Sequence, residues 1–72
     1  MKSEAARLIL AARRGSGLKQ LELARRVGIP HSVLSAYENG RRDPGTKTLA
    51  RILEAAGYRL NVTRAGPDVE RA

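Results

Sequence analysis

Between Gly28-Ile29-Pro30 and Arg41-Arg42, one short run carries His31, Ser32, Ser35 and Asn39. On a helix these positions share one side, with His31 and Ser32 at its N-terminal end. Imidazole, hydroxyl and carboxamide groups are hydrogen-bond donors and acceptors of short reach, and two guanidinium groups follow at once. Such a set suits recognition of a polar, anionic surface rather than the making of bonds. His31 is the sole histidine and the chain has no cysteine, so a zinc cluster and a histidine-containing triad both lack their parts. No metal and no cofactor is expected, and the chain is not expected to be an enzyme.

The elements that position this run can be traced from its neighbours. Leu23, Ala24 and Val27 make a short helical pattern opened by Lys19-Gln20 and stopped by Gly28. Pro30 is tolerated where a helix begins, so the next helix starts at Pro30 or His31, with Val33, Leu34 and Tyr37 apolar and Asn39-Gly40 as its stop. Ala24 permits close approach of the two helices, Gly28 can take positive φ at the corner, and Leu34 anchors the second helix. With Leu23, Val27, Leu34 and Tyr37 turned inward, the polar side of the second helix faces out, a geometry suited to base edges in a major groove.

Two further helices complete the domain. Ser3 and Glu4 mark the start of the first, whose stripe Ala5, Leu8, Ile9, Ala12 runs to about Arg14 before the breaker Gly15-Ser16-Gly17. After the loop GRRDPG, helical spacing returns from Thr46 through Leu49, Ile52, Leu53 and Ala56, and Gly57 is placed as a C-cap. Then Tyr58, Leu60 and Val62 alternate with polar residues, the rhythm of a strand. Everything else reads as helix or loop, so the expected pairing partner is a second copy. Residues 1–57 are thus expected to form a helix-turn-helix domain, 58–64 a dimerisation strand and 65–72 a flexible tail.

Seventy-two residues allow one domain with a small core. Fourteen Lys and Arg against seven Asp and Glu give a formal charge of +7, which favours a polyanionic partner. Basic charge alone also suits solubility or an acidic membrane surface. The N-terminal apolar run is interrupted by Glu4, Arg7 and Arg13, with no cleavable signal pattern and nothing long enough to span a membrane. A cytoplasmic protein without a membrane partner is expected.

The stretch QLELARRVGIPHSVLSAYENGRRDPGTKTLARILEAAG resembles the Xre, Cro and phage-repressor-like helix-turn-helix family. Its framework of Gln, Leu-Ala, Gly-Ile, Glu-Asn-Gly, Arg, Pro and Leu-Ala occurs in order, and the likeness covers roughly residues 3 to 57. The resemblance implies an all-α fold, a compact four-helix, lambda-repressor-like domain, here with a short C-terminal β-strand paired across a dimer. It implies a repressor that binds double-stranded DNA as a homodimer on a palindromic operator. Base reading would fall to His31, Ser32, Val33, Ser35 and Ala36, and phosphate binding to Lys19, Gln20, Asn39, Arg41 and Arg42. Gln20 would also buttress the recognition helix, and Arg13 and Glu38 would form an internal salt bridge. Dimerisation would rest on Tyr58, Leu60 and Val62.

Three departures accompany this likeness. Pro30 stands where the family often has a capping Ser or Thr, Ala36 where many relatives carry a polar reader, and a strand where a fifth helix is usual. The last feature resembles small antitoxin-type members, which implies the alternative function of an antitoxin that neutralises a toxin partner and autoregulates its operon. A nonspecific nucleic-acid binder is the remaining rival.

Overall fold

A computed structural model describes residues 3–61. Four helices follow one another: α1 (Glu4–Ser16), α2 (Gln20–Val27), α3 (His31–Glu38) and α4 (Thr46–Ala55). The first and the second each pack against both α3 and α4. No helix among the described residues is long and apolar enough to cross a membrane.

Each boundary has a local cause. Ser3 caps α1, its Oγ accepting from the Ala6 N–H at 3.1 Å, and thereby satisfies one of the free donors of the first turn. At the start of α2 the Glu22 carboxylate accepts from the Lys19 N–H at 2.8 Å. Lysine has no acceptor to return the bond, so the capping is one-sided. Pro30 precedes α3 with φ −61° and no side-chain cap, the geometry in which its missing N–H costs nothing.

Ile9, Leu23, Leu34 and Ile52, one from each helix, are fully buried at the centre. Removing side chains of this size from water stabilises by about 1.5–3 kcal/mol each. Ala12, Ala24 and Ala56 are buried beside them, and their small side chains let the helices approach closely. The buried face of α1 is Ala6, Ile9 and Ala12, whereas Ala5 and Leu8 are only half-buried. The stripe is therefore turned slightly from the expected one, since adjacent alanines at 5 and 6 give hydropathy nothing to choose between.

Two expectations need correction. Helix α1 continues through Gly15 to Ser16, and Gly17 is the residue that ends it, with φ +74°. Tyr58 lies against Gly15, which is itself exposed: a Cβ built there would collide with the tyrosine hydroxyl. The expected strand is absent from Tyr58–Asn61, which follow α4 as irregular chain, while Val62 to Arg64 lie outside the described residues. Here the Tyr58 N–H is spent on the Leu53 carbonyl at 2.8 Å, Gly57 donates to Glu54 at 2.9 Å, and Leu60 packs against the core. These bonds satisfy the last carbonyls of α4 and fold the chain back over the helices.

Candidate nucleic-acid interface

The corner between α2 and α3 is built from backbone. Gly28 takes φ +84° and Ile29 follows, and both N–H groups donate to the Ala24 carbonyl, at 2.9 and 3.1 Å. Leu34 and Tyr37 are buried on the inner side of α3, Val33 packs half-buried on the core, and the outer side carries the polar residues.

A chain of side-chain bonds then ties three helices together. Arg13 of α1 donates from Nε to Glu38 Oε2 at 2.7 Å and from Nη2 to Glu38 Oε1 at 3.0 Å. Its Nη1 donates to the Leu18 carbonyl at 3.0 Å. The hydrogen bonds to Glu38 push the Arg13 pKa further up, partly offset by burial and helped by the attraction of opposite charges. Glu38 is 4% exposed, so its charge is tolerated only because these donors surround it. Gln20 of α2 is the third donor, from Nε2 to Glu38 Oε1 at 3.2 Å. Its other end, Oε1, lies 2.6 Å from His31 Nε2 at the start of α3.

Beyond α3 the chain is shaped by equally local bonds. The N–H groups of Arg41 and Arg42 both reach back to the Ala36 carbonyl, at 2.9 and 3.3 Å. Asn39 Oδ1 accepts from the Arg41 N–H at 3.1 Å and from its Nε at 3.2 Å, which orients that guanidinium. The Arg42 guanidinium lies over the Tyr37 ring, 5.8 Å from its centroid, within the range of a cation–π contact.

Of the residues considered for base reading, His31 and Ser32 are exposed at the N-terminal end of α3, while Val33, Ser35 and Ala36 are half-buried. Of those considered for phosphates, Lys19, Asn39, Arg41 and Arg42 are exposed, and Gln20 is half-buried with both ends of its amide engaged. Arg41 and Arg42 follow directly on α3, so the helix edge and the basic loop belong to one continuous backbone unit. Tyr58 and Leu60 lie instead with Gly15 and the core.

Sequence reasoning missed two arginines with a structural task. Arg51 of α4 donates to the Val27 carbonyl at 2.8 Å, and Arg26 of α2 to the Ala55 carbonyl at 3.4 Å. Each helix thus supplies a cation to the other's C-terminal end, where free carbonyls and the helix dipole favour one. The partners are 24 and 29 residues apart, so no local spacing announces them.

Comparison with known proteins agrees with this architecture. A family profile described as Helix-turn-helix matches residues 9–62. The chain is 44% identical over 57 residues to the ImmF control region 10 kDa protein of Bacillus phage phi105, an alignment covering 79% of this chain and 63% of the phage protein. It is 31% identical over 68 residues to Endothelial differentiation-related factor 1 of Homo sapiens, covering 94% of this chain and 46% of that protein. A shorter alignment, 53% identical over 34 residues, joins it to an uncharacterized HTH-type transcriptional regulator of Archaeoglobus fulgidus, covering 47% of this chain and 15% of the relative. The chain therefore spans less than two thirds of the length of each of these relatives. No solved structure matches it significantly. With the profile match extending over more than half of the chain, and α2 and α3 meeting at the Gly28 corner within it, the chain belongs to the helix-turn-helix family of DNA-binding domains.

Proposed function

We propose that this chain is a sequence-specific transcriptional regulator, a repressor that inserts α3 into the major groove of duplex DNA. The observation that carries the reading is the continuity of the exposed α3 edge, His31 and Ser32, with the exposed basic loop Arg41-Arg42. A helix whose polar N-terminal residues reach base edges needs cations beside it to hold the sugar-phosphate backbone, and this arrangement offers both. The names of the phage control-region relative and of the archaeal transcriptional regulator support the same reading.

The regulator acts as a homodimer on a near-palindromic operator, with half-sites centred roughly 10 base pairs apart. Eight residues of recognition helix read only a few base pairs, and a second copy doubles the site without a larger core. Selection of bound duplexes from a random pool at near-physiological salt tests the reading. Enrichment of a two-fold symmetric motif is the expected result; a pool that stays random would overturn sequence-specific regulation, and an asymmetric motif would overturn the dimer.

A further inference from the structure

The bonds between Arg13, Glu38, Gln20 and His31 do more than brace the turn, because they have a direction. Glu38, paired with the Arg13 fork, presents oxygens that only accept. The end of Gln20 that lies 3.2 Å from Glu38 Oε1 is therefore its amide nitrogen, which donates. That orientation is imposed by the carboxylate, and it turns the Gln20 carbonyl oxygen toward His31 at 2.6 Å. A carbonyl oxygen only accepts, so His31 Nε2 must carry the proton in this bond. In a neutral imidazole the second nitrogen then has a free lone pair.

We propose that Gln20 holds His31 as its Nε2–H tautomer, so that Nδ1 is a hydrogen-bond acceptor that selects an exocyclic amino group, adenine N6 or cytosine N4, in the major groove. The inference rests on α3 reading DNA and names the chemistry of one of its contacts. Among the described residues Nδ1 has no hydrogen-bond partner, and His31 is exposed at the start of α3. Guanine and thymine present acceptors at the corresponding positions of the groove, and a phosphate presents only acceptors, so none of these satisfies the lone pair. His31 is thus a base reader and not a backbone clamp. Gln20 is the positioning residue, and Glu38, itself held by Arg13, sets its orientation from 18 residues away along the chain.

Two measurements test this on the full chain. Long-range proton–nitrogen NMR spectra of the free protein, at a pH where the ring is neutral, are expected to show His31 protonated on Nε2. In the Gln20→Met variant, which keeps the length and loses the acceptor, the Nδ1–H form becomes populated. A ring protonated on Nδ1 in the unaltered protein, or one unmoved by Gln20→Met, would overturn the inference while leaving DNA reading intact.

The second measurement uses a duplex enriched from a random pool, with single amino groups deleted. Purine replaces each adenine in turn, and 2-pyrimidinone each cytosine, so the two arms identify which base supplies the amino group. One such replacement per half-site is expected to weaken binding about five- to tenfold, corresponding to roughly one hydrogen bond. In His31→Ala the same replacement has no effect, and in Gln20→Met the penalty shrinks while the other positions keep theirs. If every amino deletion costs His31→Ala as much as the unaltered protein, His31 reads no amino group. Failure to enrich any duplex would overturn the function of α3 and this inference together.

Discussion

At the scale of single residues, Glu38 carries the heaviest consequence. Its carboxylate is buried and collects donors from α1 and α2, so it fixes both the fold and the attitude of Gln20. Glu38→Ala strands the Arg13 guanidinium in a largely buried position and frees the Gln20 amide. Breaking a buried pair in this way costs about 3–5 kcal/mol. Domains of this size have only about 5–15 kcal/mol of stability, and a small core lies at the low end. Urea denaturation followed by circular dichroism is expected to show a protein unfolded or close to it; a midpoint within experimental error of the unaltered chain would show that the pair contributes nothing net. The outer residues behave differently. Ser32→Ala removes an exposed hydroxyl with no hydrogen-bond partner among the described residues and is expected to leave stability within about 0.5 kcal/mol of the parent by the same assay. Little of this was legible from neighbouring residues, because the bonds of Gln20 join positions 18 and 11 residues apart in sequence. The polarity of His31, Ser32 and Asn39 could be read directly, since exposure of short polar groups follows from the helix period once Leu34 and Tyr37 are inward.

Elements are set by their punctuation. The corner Gly28-Ile29-Pro30 ends α2 and starts α3 because a residue at φ +84° is followed two positions later by one whose N–H is missing. Apart from its chain neighbours, no heavy atom of the described residues lies within 4 Å of a Cβ built on Gly28, so the cost of a side chain there is chiefly conformational. Gly28→Ala is accordingly expected to destabilise by about 1–2 kcal/mol, and Gly28→Asn by less, because asparagine tolerates the left-handed region. Denaturant midpoints check this; equal losses for both would point to a steric cause instead. Gly15 gives the opposite case. It is helical, so alanine should gain roughly 0.5–1 kcal/mol, yet the Tyr58 hydroxyl occupies the space. A double-mutant cycle is expected to show Gly15→Ala stabilising in a Tyr58→Ala background and gaining less in the parent, with additive effects as the contrary result.

These same residues explain where the sequence misled. The pair Gly15 and Gly17 reads as one breaker, but only Gly17 takes the left-handed conformation, and Gly15 is small for packing. Tyr58 and Leu60 alternate as in a strand, yet only Leu60 packs against the core, while Tyr58 lies against Gly15 and stays 46% exposed. A period of two marks any extended chain with one covered side, and hydrogen bonding must decide which kind it is. By contrast α2, α3 and α4 were bounded by Gly, Pro and Asn-Gly, whose backbone demands are local and survive whatever the tertiary contacts turn out to be.

On the scale of the whole molecule, a small four-helix unit presents one helix edge and one basic loop on a common backbone. The charge of +7 raises the rate of encounter with any polyanion and gives no sequence preference by itself. In the proposed reading, preference comes from the α3 edge and the loop fixes register. The most direct test titrates the parent, Arg42→Ala and Ser32→Ala against an enriched duplex and a scrambled one over a range of salt concentrations. Arg42→Ala is expected to weaken binding to both duplexes alike and to lower the salt slope by about one, as loss of one phosphate contact requires. Ser32→Ala should keep the slope and lose affinity only for the enriched duplex, leaving the scrambled one unchanged. If both variants lose equally on both duplexes, the edge of α3 is not reading bases and the division between helix and loop is wrong.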